Sequence, residues 1–422
     1  MSGSCGQSPA GPVVIVGTGQ AGGRAAEALL AGGHAGSITL IGEEPHPPYE
    51  RPALSKEFLH DARRERIAWV RPAAWYEANG IALRLGRRAV AVDREQRSVE
   101  LDDGSRIAYE KLLLATGARA RPLTVEGASH PLVSCLRTIE DSERLRQRLV
   151  PGAHIVVIGA GFIGLEVAAA ARSRGCAVTV LELAPVPMAR CVPPSLGAFY
   201  ADLHRSRGVA LRTSTSVIAI ADEGGRALVH TSTAEVLPAD AVLAGIGIIP
   251  NVELAQSAGL EVDNGIVVDE YGGTNDPLIY AAGDATRHFN PLLGRRLRLE
   301  SWQNAQNQAI ATARNLSGAA KPYAEVPWFW SDQFDLNLQI AGLPEPGDEV
   351  IRRGQLGGGP VTFLHLRSGR LAAAIGINSA RDVRIAREII AMGGAVSLVS
   401  LADESTSLAA IWGDLKRSSR AA

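Results

Sequence analysis

One short pattern occurs twice in this chain of 422 residues, and it limits the possible folds more than any other feature. The first copy covers residues 13–30 and the second covers residues 155–175. In both, a β-branched apolar run ends in glycines and continues as an Ala-rich helical stretch. The glycines share the spacing G-x-G-x-x-G and are Gly17, Gly19 and Gly22 in the first copy and Gly159, Gly161 and Gly164 in the second. Copies so far apart predict two similar domains rather than short repeats.

This glycine spacing is typical of a strand–turn–helix unit that holds a pyrophosphate. The first glycine permits the tight turn, the second lets backbone amides approach the phosphates, and the third lets the helix pack closely on the strand. The helix N-terminus adds unpaired N–H groups and a partial positive charge. An acidic residue follows the next strand in each copy, Glu43 and Glu182, and its carboxylate can accept hydrogen bonds from ribose hydroxyls. We therefore expect one tightly held flavin and one exchanging nicotinamide, rather than two ordinary glycine-rich turns.

Charge and cysteine content exclude other classes of protein. The 43 basic and 44 acidic residues leave a net charge of −1, which argues against bulk nucleic-acid binding. The near-apolar run from Ile155 to Ala171 is too short and too polar for a membrane span. The four cysteines lie far apart and form no CxxC pair, so we expect reduced thiols, no metal site and a cytoplasmic protein. They are Cys5, Cys135, Cys176 and Cys191.

A third signal, the segment Ile279-Tyr-Ala-Ala-Gly-Asp284, distinguishes the two nucleotide sites. Asp284 ends an apolar run and suits a hydrogen bond to a sugar-alcohol chain. Together with the two glycine patterns, this segment resembles the flavoprotein reductases that have two dinucleotide-binding domains. The segments 115–117 (ATG) and 245–251 (GIGIIPN) match the two crossover segments of that family. The resemblance implies that the first copy binds FAD, with Thr116 and Asp284 beside it, and that the second binds NAD.

The same resemblance implies the domain organisation. The predicted fold class is α/β, with two Rossmann-like domains and a C-terminal α+β domain. We expect an FAD-binding domain at residues 1–117 and 246–326, an inserted NAD-binding domain at 118–245, and the C-terminal domain at 327–422. In that last segment, WFWSDQ, NLQIAG, PVTFLHL and LAAAIGI have the pattern of strands, and a helix is predicted from about Ala380 to Met392. The two short tails of the chain are expected to be loose.

The segment PYERPALSK, which contains Arg51 and Lys56, is similar to the flavin-contact segment of NADH-dependent ferredoxin reductases that serve oxygenases. This similarity implies that both residues lie at the FAD. It also implies that Lys56 approaches the flavin N5 edge and pairs with Glu166, and that these two residues are catalytic. Glu166 lies two positions after Gly164, where phosphate is expected. That is an unusual place for a charged residue whose only role is to keep the protein soluble. The alternative is a solvated surface lysine.

Aromatic residues give the next candidates. In the resembled reductases the residues that match Trp302 and Gln303 lie along the flavin, and the one that matches Trp330 lines its exposed side. We expect Trp328 to have a packing role. The alternative is that these are tryptophans of the core or of a domain interface.

Glu182 also bears on the choice of nicotinamide. A carboxylate near the adenosine ribose repels the 2′-phosphate of NADP, which normally needs an arginine there. Residues 183–189 contain no arginine, so NADH is the predicted cofactor. Arg190 is the next arginine, and it contacts either the NAD pyrophosphate or only solvent.

The resemblance implies the reaction as well. A hydride passes from NADH to FAD, and single electrons then pass to a two-iron ferredoxin that serves a haem monooxygenase or a ring-hydroxylating dioxygenase. The interval between Cys5 and Cys135 contains no cysteine, which argues against thiol chemistry at the flavin. A rubredoxin reductase is the nearest alternative, and an apoptosis-inducing-factor-like protein that senses NADH is another.

Arginine clusters could steer an acidic ferredoxin. Equally, 39 of the 43 basic residues are arginine, which suggests a bias of the whole chain. The clusters are Arg63, Arg64 and Arg66; Arg295, Arg296 and Arg298; and Arg352 and Arg353.

Overall fold

The computed structural model describes residues 11–60 and 68–421. Cys5 and the cluster Arg63, Arg64 and Arg66 lie outside the described residues. The chain divides into two compact units. The first unit is Met1–Arg51, Ile67–Arg119 and Ile249–Glu325, and the second is Pro52–Arg66, Ala120–Ile248 and Val326–Ala422. The residue boundaries of the three predicted domains stay a prediction.

A parallel five-stranded sheet forms the centre of the first unit. Its strands, in spatial order, are Ile279–Ala281, Lys111–Leu114, Val13–Val16, Ile38–Gly42 and Ile81–Leu85. Val13 and Ile15 belong to one apolar cluster and Val14 and Val16 to another, so the strand is buried on both faces. Burial on both faces explains why this strand is continuously apolar instead of alternating.

In the described part of the first unit, smaller sheets and four helices complete the fold. One antiparallel sheet contains Ala89–Asp93, Ser98–Leu101 and Arg106–Ala108, and another sheet contains Ile266–Val268, Thr286–Asn290 and Arg295–Leu297. The helices are Gln20–Ala31, Ala73–Ala78, Glu253–Ser257 and Trp302–Leu316. A 3-10 helix at Arg51–Ser55 and the short strands Ala118–Ala120 and Ile248–Pro250 lie where the chain passes from one unit to the other.

The second unit contains a parallel sheet of the same kind. Its strands, in spatial order, are Val209–Arg212, Ala177–Leu181, His154–Ile158, Ala241–Ala244 and Val133–Ser134. An antiparallel sheet is formed by Val217–Glu223, Arg226–Thr231 and Val236–Ala239. The helices in this part are Glu57–His60, Ile139–Arg148, Phe162–Ser173 and Pro194–Ser206.

The C-terminal part of the second unit is an antiparallel sheet with helices, as the sequence predicts. Its strands, in spatial order, are Trp328–Gln333, Leu336–Gly342, Arg370–Ile377, Val361–Arg367 and Glu349–Arg353. Its helices are Ala380–Met392, Leu398–Ala402 and Leu408–Ala421. The strand Glu349–Arg353 is not predicted from the sequence. The helix Leu408–Ala421 is not predicted from the sequence either, and its Leu408 and Ile411 are buried. The expectation of loose tails stays a prediction.

Among the described residues, no helix is both long enough and apolar enough to span a membrane.

Candidate active site

The first glycine-rich turn, in the first unit, has the shape that a bound pyrophosphate requires. Gly17 has a φ of +123°, and a Cβ there would lie 2.1 Å from the carbonyl oxygen of Ala115. A Cβ on Gly22 would lie 1.9 Å from the carbonyl oxygen of Gly17. A Cβ on Gly19 would meet nothing within 4 Å, and no side chain caps the helix Gln20–Ala31 that begins there. The open space and the uncapped N–H groups fit the phosphates of FAD.

The second turn, in the second unit, repeats this geometry. Gly159 has a φ of +98°, and a Cβ there would lie 2.5 Å from the carbonyl oxygen of Gly245. A Cβ on Gly164 would lie 2.1 Å from the carbonyl oxygen of Gly159. At Gly161 a Cβ would again meet nothing within 4 Å, and the helix Phe162–Ser173 has no side-chain cap. This turn therefore fits the phosphates of NAD equally well.

The two acidic residues that follow the next strand do not occupy equivalent positions. Glu182 is half-buried and accepts hydrogen bonds from the backbone N–H groups of Ala160 (2.6 Å) and Ala184 (2.7 Å). It directly follows Leu181, whose carbonyl oxygen accepts the N–H of Gly159 at 2.7 Å.

In the first copy, the carbonyl oxygen of Ile41 accepts the N–H of Gly17 at 2.7 Å. The residue that corresponds to Glu182 is therefore Gly42, which directly follows Ile41. A Cβ on Gly42 would lie 1.9 Å from Oγ1 of Thr18, so the Thr18 side chain fills that space. Glu43 lies one residue further on and is exposed. The predicted ribose contact of Glu43 stays a prediction.

Arg51 belongs to a polar cluster whose other members the sequence analysis missed. Its guanidinium forms an ion pair with Oε1 of Glu44 at 2.6 Å and donates to the hydroxyl of Tyr49 at 2.9 Å. The Tyr49 hydroxyl in turn donates to Oε2 of Glu44 at 2.5 Å. Burial would lower the pKa of Arg51, but Tyr49 and Glu44 outweigh it and raise that pKa. The only sequence signal for Glu44 is that it adjoins Glu43.

Thr116 is bonded to the returning crossover segment of the first unit. Its hydroxyl donates to the carbonyl oxygen of Asn251 at 2.7 Å, and the Asn251 side-chain amide donates to the carbonyl oxygen of Thr116 at 2.9 Å. Arg119 donates to the Asn251 side chain at 2.8 Å. The structure thus gives Thr116 a role in holding the crossover, and its predicted contact with FAD stays a prediction.

Asp284 and Gln303 both belong to the first unit. Asp284 is half-buried, and the loop before it is fixed by Gln308, whose side-chain oxygen accepts the N–H of Gly283 at 2.9 Å. Gln303 is buried and donates to Oε2 of Glu325 at 3.0 Å. Trp302 begins the helix Trp302–Leu316 and is half-buried. Sequence reasoning missed Gln308, since a buried glutamine on a helix gives no distinct pattern.

The second unit holds Lys56 and Glu166, which the sequence analysis assigned to catalysis. Nζ of Lys56 lies 2.5 Å from Oε1 of Glu166, and the Glu166 side chain is only 2% exposed. Glu166 lies in the first turns of the helix Phe162–Ser173, directly after the second glycine-rich turn. The structure therefore brings together two residues that lie far apart in the sequence.

Two serines that the sequence analysis missed complete the surroundings of Glu166. The Ser55 hydroxyl donates to Oε2 at 2.6 Å, and the Ser331 hydroxyl donates to Oε1 at 2.7 Å. Both serines are buried. Together with Lys56 they give this buried carboxylate three donors, which is what an ionised group away from water requires.

Trp330 lies next to the ion pair, with the Lys56 ammonium group 5.9 Å from its ring centroid. Trp328 stacks on Trp330, with ring centroids 5.2 Å apart and an interplanar angle of 18°. The Trp330 indole N–H donates to Asp332 at 3.1 Å. The strand Trp328–Gln333 therefore presents a pair of stacked indoles beside a lysine.

Residues 11–309 match the family model described as pyridine nucleotide-disulphide oxidoreductase, and residues 328–412 match the model described as reductase C-terminal. The chain belongs to the pyridine nucleotide-disulphide oxidoreductase family. This membership confirms the predicted resemblance, the predicted fold class and the predicted cofactors, FAD and NADH.

Named relatives of this chain in the family cover nearly its whole length. The ferredoxin–NAD(+) reductase component of the anthranilate 1,2-dioxygenase system of Burkholderia cepacia is 49% identical over 401 residues, covering 94% of this chain and 98% of the relative. The crystal structure of the ferredoxin reductase for the CYP199A2 system from Rhodopseudomonas palustris is 42% identical, with a TM-score of 0.91 over 94% of this chain and 98% of that chain. The covalent putidaredoxin reductase–putidaredoxin complex is 40% identical, with a TM-score of 0.92 over 96% and 99%.

The family name includes disulphide chemistry, but two of the described cysteines, Cys135 and Cys176, do not suit it. Both are free thiols, whereas Cys191 is exposed. Burial raises the pKa of Cys135 and of Cys176, which reduces the thiolate fraction that a reactive cysteine needs. Within the described ranges, no group of His, Cys, Asp and Glu side chains is arranged to hold a metal ion.

The arginines assigned from the sequence have different surroundings. Arg190 is exposed, and its guanidinium lies 3.9 Å from the position of a Cβ on Gly247, in the crossover segment. Arg353 is buried and donates to the carbonyl oxygens of Leu401 (2.9 Å) and Thr406 (2.6 Å). Its charge is used inside the fold, so Arg353 is not available to steer a partner, whereas Arg352 is exposed.

Proposed function

We propose that this protein is an NADH-dependent ferredoxin reductase that serves an oxygenase. The observation that carries the proposal is the buried Lys56–Glu166 pair, held by two serines directly after the second glycine-rich turn. The relatives support the same function, since they are reductases of a dioxygenase system, of the CYP199A2 system and of putidaredoxin.

The chain's own groups have separate tasks in the proposed reaction. FAD supplies the chemistry when bound, because it accepts a hydride from NADH and releases electrons one at a time. The turn at Gly17 and Gly19 holds the pyrophosphate of FAD, and the turn at Gly159 and Gly161 holds that of NADH. Asp284, Arg51, Thr116, Trp302, Gln303 and Trp330 orient FAD. No side chain needs to act as a general acid or base.

Lys56 and Glu166 supply the electrostatics. The Lys56 ammonium group stabilises negative charge that develops on the flavin, and the Glu166 carboxylate stabilises positive charge that develops on the nicotinamide. Both groups are largely shielded from water, where such fixed charges act more strongly than in bulk solvent.

Glu182 gives the preference for NADH. Its carboxylate already lies over the second turn, bonded to two backbone N–H groups. Ribose hydroxyls can donate to its remaining lone pairs, whereas the 2′-phosphate of NADPH would bring a like charge next to it. Arg190, exposed beside the crossover segment, is proposed to meet the NAD pyrophosphate.

The proposed acceptor is a two-iron ferredoxin that feeds a haem monooxygenase or a ring-hydroxylating dioxygenase. Ferredoxins are usually acidic, and exposed Arg295, Arg296 and Arg352 offer complementary charge. Trp330 is proposed to lie at the docking surface.

We further propose an FAD-binding domain at 1–117 and 246–326 and an NAD-binding domain at 118–245. The proposed location of the protein is the cytoplasm, where thiols stay reduced.

One experiment separates this function from its alternatives. The purified yellow protein is supplied with NADH and tested against two-iron ferredoxins and rubredoxins, with cytochrome c as the final acceptor. Rapid turnover with a two-iron ferredoxin is the expected result. Turnover with rubredoxins alone would show a rubredoxin reductase, and slow NADH oxidation with long-lived charge-transfer absorbance would favour the apoptosis-inducing-factor-like alternative.

A further inference from the structure

The strand Trp328–Gln333 has two different faces, because successive side chains of a strand point to opposite sides. One set of side chains is Trp328, Trp330 and Asp332, and the other is Phe329, Ser331 and Gln333. Ser331 and Gln333 are both fully buried, while the two tryptophans are half-buried. A docking role for Trp330 uses only the first face, so the polar residues buried on the second face need their own explanation.

The second face reaches Glu166. Oε1 of Glu166 accepts both the Lys56 ammonium group at 2.5 Å and the Ser331 hydroxyl at 2.7 Å. Oε2 accepts the Ser55 hydroxyl at 2.6 Å. Ser331 is the only one of these three donors that the C-terminal part of the chain supplies, and it shares an oxygen with the lysine. Its hydrogen bond therefore fixes the direction in which that oxygen faces the ammonium group.

Ser331 is itself oriented by a chain of buried hydrogen bonds. The side-chain amide of Gln333 donates to the Ser331 hydroxyl oxygen at 3.2 Å, which leaves the single hydroxyl proton for Glu166. The Gln333 side-chain oxygen lies 3.0 Å from Nε2 of His204, and because that oxygen only accepts, Nε2 carries the proton. Burial lowers the pKa of His204 to about 4 against the opposing effect of the Gln333 hydrogen bond, so the ring is neutral at pH 7. The hydrogen bonds from His204 to Gln333, from Gln333 to Ser331 and from Ser331 to Glu166 therefore run in one direction, and Gln333 also donates to Sδ of Met188 at 3.7 Å.

We propose that Ser331, oriented by Gln333 and His204, is a positioning residue that sets the Glu166 carboxylate for the reduction of FAD by NADH. This inference rests on the function proposed above. It gives the C-terminal strand a second task, because the strand acts in the uptake of electrons as well as presenting Trp330 to the acceptor.

The first test is Ser331→Ala in the FAD-loaded protein. Flavin reduction by saturating NADH in stopped flow should slow by about five- to tenfold, because a small misplacement of a catalytic group lowers the rate. The loss should be no larger, because Lys56 and Ser55 still hold Glu166. FAD content should be unchanged, and reoxidation of the reduced protein by ferredoxin should stay near the native rate. The control is Thr362→Val, which removes a buried hydroxyl from the same sheet, bonded to Ser379 at 2.8 Å. It should leave flavin reduction unchanged. A native reduction rate in Ser331→Ala would overturn the proposal.

The second test separates positioning from a purely structural role. In the Glu166→Ala background, Ser331→Ala should add little further slowing, because its only route to the reaction is gone. An equal slowing in both backgrounds would overturn the proposal. Infrared spectra give a readout independent of turnover. The carboxylate stretch of Glu166, assigned by its loss in Glu166→Gln, should shift in Ser331→Ala and not in Thr362→Val.

A third variant covers the case in which Ser331→Ala does not fold. Gln333→Met keeps the length of the side chain but removes the amide that orients Ser331, and about twofold slowing of flavin reduction is expected from losing one indirect hydrogen bond. No slowing would overturn the proposal. The wild-type measurement keeps the two proposals distinct: if NADH does not reduce the wild-type flavin, the proposed function fails, whereas normal wild-type reduction with unaffected variants refutes only the role of Ser331.

Discussion

The two glycine-rich turns have nearly the same backbone conformation, but the helices that follow them carry side chains of opposite charge at the equivalent position. Two positions after the third glycine, the first copy has Arg24 and the second has Glu166. Arg24 pairs with Glu27 at 2.9 Å and Glu50 at 3.1 Å, with 22% of its side chain exposed. Glu166 is buried and has a lysine and two serines around it.

The acidic residues that follow the next strand in each copy also differ in their surroundings. Glu182 reaches back to the second turn, whereas Thr18 fills the corresponding space in the first turn and Glu43 is exposed. The glycines therefore form the site for a pyrophosphate, while the side chains around them determine what the bound dinucleotide does. The first copy has the features of a site that only binds its dinucleotide. The second has, in addition, a buried carboxylate that can stabilise positive charge on the nicotinamide.

The largest effect is expected from Glu166 and its partner Lys56. Lys56→Met and Glu166→Ala should each slow the reduction of flavin by NADH about 100-fold, since removing one preorganised electrostatic group typically costs that much. FAD should stay bound, and the double variant should be non-additive because the two residues share one interaction. Stopped-flow absorbance of the flavin measures both.

The matched control is Arg24→Ala, at the equivalent position of the first copy. It should change flavin reduction by no more than about twofold, as expected for a partly exposed ion pair. If Arg24→Ala slowed the reduction as much as Glu166→Ala does, the two helices would not differ in function.

The next effect concerns the feature that the copies share. At Gly19 and at Gly161 an added Cβ meets no protein atom, so alanine at either position should fold with a native unfolding midpoint. Gly19→Ala should weaken FAD binding, and Gly161→Ala should raise KM for NADH with FAD retained, each by about tenfold, because the Cβ enters the space of the pyrophosphate. Loss of FAD from Gly161→Ala instead would reverse the assignment of the two sites.

The next prediction concerns the acidic residues that follow the next strand in each copy. The wild-type kcat/KM should favour NADH over NADPH by about tenfold or more, which corresponds to about 1.4 kcal/mol. Glu182→Ala should narrow that ratio, while Glu43→Ala should leave it unchanged because Glu43 belongs to the first copy. Equal use of the two nicotinamides by the wild type, or a change caused by Glu43→Ala, would contradict the role given to Glu182.

The last prediction concerns Trp330, where the acceptor is proposed to dock. Ferredoxin-dependent cytochrome c reduction should fall steeply from low to moderate salt, because screening shortens to about 8–10 Å at 0.1–0.15 M. Ferricyanide reduction needs no docked protein and should change far less. Trp330→Ala should lower the ferredoxin-dependent rate more than the reduction of flavin by NADH. Equal salt dependence with both acceptors, together with an unaffected Trp330→Ala, would place the docking surface elsewhere.

Local patterns were sufficient for much of the fold. The glycine spacing with its flanking strands and helices predicted both turns. Segments with a strand pattern and turn signals between them predicted the strand Trp328–Gln333, and a helix was expected at Ala380–Met392. These features depend on neighbours only a few residues apart. The strand Glu349–Arg353 and the helix Leu408–Ala421 were missed. The strand is held by pairing with Val361–Arg367 and the helix packs on Ala380–Met392, and only the folded chain shows these contacts.

For the site, the sequence determined the residue types and the tertiary structure decided their partners. Glycines, crossover segments, Lys56 and Glu166 could be chosen from spacing and from resemblance to known reductases. Ser55, Ser331, Gln333 and His204 could not, because single serines, glutamines and histidines are common. Only the folded chain brings Ser331 to Glu166, which lies 165 residues earlier. The same reason explains why Glu43 and Glu182 look equivalent in the sequence and differ in the structure. A side chain's role depends on which atoms surround it after folding, and those atoms come from elsewhere in the chain.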